Sequence, residues 1–153
     1  MKFYFYSLIF LLIDQISKYL ITLKLKPNQL MEINNYLNIV YFKNTGFIFG
    51  FFSDIPYLYY LIINLFLFII IIYLLLKIFY ENKVFLFPVS LIIGGGISNL
   101  FDRIFKNGVI DFIDFYYKEL HWPAFNFADV FITSGIIIFI LINIVEKRNC
   151  LRA

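Results

Sequence analysis

Four long apolar runs dominate the chain, and polar residues interrupt them at only a few places. The runs cover about 3–23, 57–76, 84–101 and 125–145, each close to the roughly 20 residues needed to cross the hydrocarbon of a bilayer. Asp14 and Lys18 break the first run and Asn64 the second. Gly94, Gly95 and Gly96 lie near the end of the third, and Asn126 and Asp129 open the fourth. Between runs the period changes. Residues 27–53 alternate apolar and polar positions around Leu37, Ile39 and Tyr41, which predicts a short strand or hairpin. Asn107-Gly108 is a turn signal, and Val109 to Tyr117 alternates again, which predicts a second strand. The expected fold class is an all-α membrane protein, four transmembrane helices carrying a small strand-containing platform outside the membrane. The whole chain, 1–153, reads as one integral membrane domain.

Composition strengthens the membrane reading. Hydrophobic residues make up 62% of the chain, well above the roughly 45–50% of soluble domains. The first run has no small-residue cleavage site and carries charges inside it, so it reads as an uncleaved first helix. The net charge of +3 is scattered, with no basic stripe, which argues against nucleic acid as a partner. One cysteine, Cys150, excludes a disulfide framework, a cysteine zinc cluster and an iron–sulfur site, and one histidine, His121, excludes a histidine-rich zinc site. No metal and no cofactor is expected. Four spans place both termini on one side. Lys2, Lys83, Lys147, Arg148 and Arg152 favour that side as cytoplasmic, but Lys24, Lys26, Lys43, Lys106 and Lys118 across the membrane make the bias weak. Tyr4, Tyr6, Tyr116, Tyr117 and Trp122 fall near span ends, as aromatic belts do.

In so apolar a chain, ionisable residues in or beside the spans mark candidate chemistry. Asp14 and Lys18, four apart on the first helix, share a face. They form either a self-neutralising pair with Lys18 reaching outward or the edge of a polar site inside the bundle. The glycines 94–96 favour close helix packing. Asn99 and Arg103 share a helix face, and Arg103 can pair with Asp102 or with a site carboxylate. Asp129 falls in the first turn of the fourth helix, where the helix N-terminus favours an anion. Asp111 sits among Val109, Ile110 and Phe112, apolar flanks that raise a carboxyl's pKa. Two carboxyls in one site would share a proton and supply a base and an acid. The alternative is two unrelated loop carboxylates. Asp114 has the opposite strand parity to Asp111 and should face away, and His121 reads as a surface residue beside Trp122.

Five stretches, in order, carry a resemblance that covers essentially the whole chain. They are Asp14-Gln15-Ile16-Ser17-Lys18; Asn44-Thr45-Gly46 with Phe49-Gly50; Gly94-Gly95 through Asn99, Asp102 and Arg103; Gly108 to Asp114; and Trp122-Pro123 leading into Phe125-Asn126-Phe127-Ala128-Asp129. With these the chain resembles lipoprotein signal peptidase (signal peptidase II), a family of bacterial membrane aspartyl peptidases. The resemblance implies that Asp111 and Asp129 are the catalytic dyad, with Asp14, Lys18, Asn44, Gly46, Asn99, Arg103 and Asn126 supporting it or contacting substrate. It implies cleavage of diacylglyceryl-modified prolipoproteins just before the lipidated cysteine, in a bacterial inner membrane, with the active site on the extracytoplasmic face. Membrane lipids are then the surroundings, a monomer is expected, and Cys150 has no role. Three positions depart from the family pattern: Gly96 replaces alanine, Ser98 replaces glycine, and Ile48 replaces a small residue. Two rival classes stand beside this reading. A small helical-bundle transporter with an aspartate proton relay would need polar residues along the membrane depth, and an assembly protein would use the glycines and aspartates only for packing.

Overall fold

The computed structural model describes residues 2–45 and 56–150, without the side chains of Tyr57, Tyr60, Asn149 and Cys150. Gly46, Ile48 and the Phe49-Gly50 pair lie outside the described residues. The order is helix α1 (Lys2–Lys24), strands β1 (Leu30–Asn34) and β2 (Leu37–Asn44), and helix α2 (Tyr57–Glu81). A 3-10 turn (Lys83–Phe85) then leads into α3 (Leu86–Lys106), followed by β3 (Val109–Tyr117), β4 (Leu120–His121) and α4 (Phe127–Cys150). All four helices are long and apolar enough to span a membrane. α2, α3 and α4 run about five residues past the ends read from hydropathy. The physical reason is that hydropathy reports depth in the bilayer, whereas backbone hydrogen bonding continues through Lys77, Lys106 and Lys147 at the boundary.

α3 is the central helix. Its buried side chains include Val89, Leu91, Ile92 and Ile93, and α1, α2 and α4 all pack on it. Between lipid-facing helices the hydrophobic effect contributes little, so association depends on close packing of small residues. The triple glycine supplies this on three sides at once. A Cβ on Gly94 would lie 2.6 Å from the Ser7 carbonyl oxygen of α1, and one on Gly95 would lie 2.6 Å from the Ala128 carbonyl oxygen of α4. One on Gly96 would lie 2.5 Å from the edge of the Phe68 ring of α2. Successive residues turn by about 100° around a helix, so three in a row address three different neighbours. Gly94→Ala or Gly95→Ala must therefore push a backbone away, with an expected cost of about 1–3 kcal/mol in thermal unfolding. Gly96→Ala displaces only a ring edge and should cost less. Equal losses at the three positions would contradict this account.

The two ends of the bundle differ. At one end Phe3 stacks on Phe79 at 5.0 Å and Phe85 meets Phe139 at 4.8 Å, next to the α2–α3 connection, where the Asn82 amide donates to Glu146 at 2.7 Å. At the other end lies an antiparallel sheet in the order β1-β2-β3-β4. α3 terminates there on Asn107 in the left-handed region (φ 53°), followed by Gly108 at φ 147°. β4 is a short pairing, Tyr116 with His121 and Tyr117 with Leu120, that the sequence pattern does not predict.

One irregularity in the sheet decides its chemistry. β2 pairs Ile39 with Ile113 and then Phe42 with Asp111, so three steps on β2 oppose two on β3. This bulge reverses the side-chain parity of the rest of β2. Without it Tyr41 and Lys43 would share the face of Asp111. With it Phe42 and Asn44 do.

Candidate active site

Asp111 is fixed by the sheet. Its neighbour across the bulge, Asn44, donates through Nδ2 to Oδ2 of Asp111 at 3.2 Å. The chain entering α4 is stitched to the other edge of β3. Phe125 and Ile113 exchange backbone hydrogen bonds of 3.0 and 2.9 Å, and Phe112 N–H also donates to the Phe125 carbonyl at 3.0 Å. That seam brings Asn126 to Asp111, and Asn126 Nδ2 donates to Oδ1 at 2.6 Å.

Asp129 is fixed by the start of α4. Asn126 is the cap of that helix and Asp129 is its third residue. The Asp129 backbone N–H donates to Asn126 Oδ1 at 3.0 Å, and the Asn126 backbone N–H donates to Asp129 Oδ2 at 3.2 Å. This is a capping box with aspartate in the place usually taken by glutamate or glutamine. The remaining oxygen, Asp129 Oδ1, accepts from Asn99 Nδ2 of α3 at 2.8 Å. Asn126 and Asn99 also touch, Nδ2 to Oδ1 at 3.3 Å. The two carboxyls are therefore held by a pair of linked amides, with Asn126 serving both.

Behind this lies a buried ionic cluster. Lys18 has no exposed surface; its ammonium donates to Asn99 Oδ1 at 2.9 Å and forms ion pairs with Asp14 Oδ2 at 2.6 Å and Asp102 Oδ2 at 2.7 Å. Asp14 further accepts from Ser98 Oγ at 2.6 Å and from the Ala128 backbone N–H at 2.9 Å, an otherwise unpaired donor in the first turn of α4. Asp102 pairs with Lys106 at 2.7 Å and accepts from Gln15 Nε2 at 3.0 Å. Of the two readings of Asp14–Lys18, the inward polar site is the one observed, and Lys18 does not reach outward. Arg103 is not the partner of Asp102. It donates to the Asn99 carbonyl one turn back, at 3.4 Å.

Asp14, Lys18, Asn44, Asn99, Asn126, Asp111 and Asp129 thus meet in one network. The sequence reading named Asp102 as a support but did not pair it with Lys18, and it did not place Gln15, Ser98 or Lys106 in the cluster. A partial signal existed, because Asn99, Asp102 and Lys106 lie at i, i+3 and i+7 on one helix face. Asp114 faces away from the dyad, as parity requires. It accepts from Asn38 Nδ2 at 2.9 Å and lies 3.0 Å from Nδ1 of His121, whose ring stacks on Tyr116. His121 is half-exposed, as expected of a surface residue, but it is tied to Asp114 and not to Trp122.

Burial pushes the Asp111 carboxyl up to about 7, and the nearby negative charge of Asp129 adds to the rise. Hydrogen bonds from Asn44 and Asn126 hold part of it back. Near neutrality such a pair retains a proton, which gives one site both a hydrogen-bond-donating acid and a carboxylate base.

Comparisons with known proteins identify the family of the chain. Residues 6–145 match the family model described as Signal peptidase (SPase) II. The chain is 41% identical over 134 residues to a lipoprotein signal peptidase of Thermodesulfovibrio yellowstonii, with 88% of each chain covered. It is 34% identical to the lipoprotein signal peptidase of Francisella tularensis subsp. mediasiatica, covering 97% of this chain and 95% of that one. A solved structure of a bacterial membrane enzyme superposes with a TM-score of 0.80 at 28% identity, over 97% of this chain and 90% of the other. A match over most of the chain, relatives above 30% identity and a shared four-helix architecture together place this chain in the signal peptidase II family.

Proposed function

We propose that Asp111 and Asp129 are the catalytic dyad of a peptidase that removes the signal peptide from prolipoproteins, cutting just before the diacylglyceryl-modified cysteine. The observation that carries this reading is the shared amide frame. Asn126 holds Asp111 with its side chain and Asp129 with its backbone, so two buried carboxyls from a strand and a helix are fixed relative to one another.

One carboxylate takes a proton from a water between the pair, and the resulting hydroxide equivalent adds to the scissile carbonyl carbon. The protonated partner hydrogen-bonds the carbonyl oxygen and then passes its proton to the leaving nitrogen as the C–N bond breaks. The pair titrates as a unit. Lys18, Asp14, Asn99 and Asn126 position it and Asn44 steadies Asp111; the resemblance implies that Arg103 and Gly46 support the dyad or contact substrate. The acyl chains of the substrate hold it in the bilayer, which delivers the scissile bond to the boundary where the sheet begins. We place that end on the extracytoplasmic face of a bacterial inner membrane and both termini in the cytoplasm. We read the chain as a single domain that acts as a monomer. The transporter reading lacks support, because α2 and the Ile136 to Ile142 stretch of α4 offer no polar path.

The test is to incubate the purified protein with a diacylglyceryl-modified precursor, with and without an inhibitor of this peptidase class. Inhibitor-sensitive release of the signal peptide is expected, and no release in any membrane mimetic would overturn the reading. The pH profile adds a second check. Cleavage should fall as pH rises through about 7, when the dyad loses its shared proton and becomes two carboxylates. Asn44→Ala removes a donor that holds the Asp111 pKa down, so the alkaline limb should move to higher pH. A limb that stays in place or moves down would contradict the role of Asn44.

A further inference from the structure

On the face of the sheet opposite the dyad lies a cleft of about 350 Å³. Its walls are Gln15 and Tyr19 of α1, Tyr41 and Lys43 of β2, and Lys106 at the end of α3, with Ile110 of β3 at its base. The bulge that turns Asn44 toward Asp111 turns Tyr41 and Lys43 into this cleft, where Lys43 and Ile110 are register partners. We propose that this cleft binds the phosphodiester head group of an anionic phospholipid in the leaflet on the sheet side.

The lining chemistry selects an anion. Two lysines and two tyrosines line the cleft and no acidic residue does. Lys43 makes no ion pair among the described residues. Its stem lies against Gly108, where an added Cβ would come within 3.2 Å of Lys43 Cε, so the absence of a side chain there leaves room for it. Lys106 uses two of its three donors, on Asp102 at 2.7 Å and on Gln15 Oε1 at 3.1 Å, and keeps a third for the cleft. A doubly bonded ammonium is a pre-oriented donor, not a mobile surface charge.

Location selects a lipid over a free ion. The cleft opens at the last turns of α1 and α3, at the boundary of two membrane-spanning helices. Next to it α1 exposes Leu12 and Ile16, and α3 exposes Phe101 and Phe105, apolar surface against which acyl chains can lie. Tyrosines at such a boundary present a ring to the chains and a hydroxyl to the head group. With two lysines and no carboxylate in the lining, the local charge is positive, so the preference should be for net negative lipids. The dyad takes no part in this, because Asp111 points to the other face.

The experiment uses the full protein in detergent micelles and measures retention of phosphatidylglycerol, phosphatidylcholine and inorganic phosphate by native mass spectrometry and by titration of a fluorescent phosphatidylglycerol. Phosphatidylglycerol should bind severalfold more tightly than phosphatidylcholine. Lys43→Glu should weaken it about tenfold or more, as expected for reversing one charge at an anionic head group. Lys43→Arg should retain binding and Lys43→Gln should fall between. The unfolding temperatures of these variants should match the parent, since Lys43 is exposed. Equal affinity for the two lipids, unchanged binding by both Lys43→Glu and Lys43→Gln, or displacement of phosphatidylglycerol by inorganic phosphate at equal concentration would each overturn the proposal.

Discussion

Asp111→Asn and Asp129→Asn should each reduce cleavage of a lipidated precursor by about a thousandfold or more, within the 10²–10⁴ that general acid–base groups supply, with the shared water now lacking its base or its acid. Both variants should still insert and fold, because asparagine keeps the shape of each side chain. Asp111→Asn should even gain stability at alkaline pH. A carboxyl raised from 3.8 to about 7 binds its proton more tightly in the folded state. Its contribution to stability is therefore complete below about pH 4 and lost as pH rises through about 7. An uncharged asparagine avoids that loss, which amounts to at most about 4 kcal/mol at about 1.4 kcal/mol per pKa unit. Thermal unfolding of parent and variant at pH 4 and pH 8 measures most of it, and a gap that narrows at pH 8 would contradict the burial argument. Asp114→Asn is the internal control. It sits on the other face of the sheet with Asn38 and His121 and should lose far less activity. Near-normal turnover by either dyad variant, or an equally severe loss at Asp114, would sink the assignment.

Lys18→Met should be the most destabilising single change in the bundle. Lys18 neutralises two fully buried carboxylates, Asp14 and Asp102, and its removal leaves them facing each other without a cation. Breaking a buried ion pair from one side costs on the order of 3–5 kcal/mol, far more than the pair itself contributes relative to apolar residues. The double variant Lys18→Met/Asp102→Asn removes one orphaned charge and should recover part of the loss, so the two changes will not add. Activity should fall as well, because Asn99 loses the cation that orients its amide toward Asp129. Unfolding in detergent together with cleavage assays separates the effects. A Lys18→Met protein as stable as the parent would mean that the cluster is hydrated in the membrane.

Some of this architecture is legible in the chain because it depends on local patterns. Apolar runs of membrane-spanning length mark the four helices, since burying an unpaired backbone in lipid leaves the helix as the workable local solution. Asp129 in a first helical turn and the turn at Asn107-Gly108 follow from capping and backbone preferences close in sequence. The opposite parity of Asp111 and Asp114 follows from the strand period of two. The ordered motifs from Asp14 to Asp129 carry the family resemblance, which the match over residues 6–145 supports.

What the tertiary structure alone decides are the contacts between residues distant in the chain. Nothing local to Asp14-Lys18 announces Asp102, 84 residues from Lys18, as the second anion on the same ammonium. Which neighbour each of the three glycines touches depends on how the other three helices surround α3. The bulge in β2 shows this best. Strand alternation around Tyr41 can be read from the chain, but one extra residue between Ile39 and Phe42 exchanges the two faces. It sends Asn44 to Asp111 and Lys43 to the opposite cleft. Sequence periodicity specifies that side chains alternate; only pairing with β3 specifies where the alternation slips, because a register is a property of two strands together.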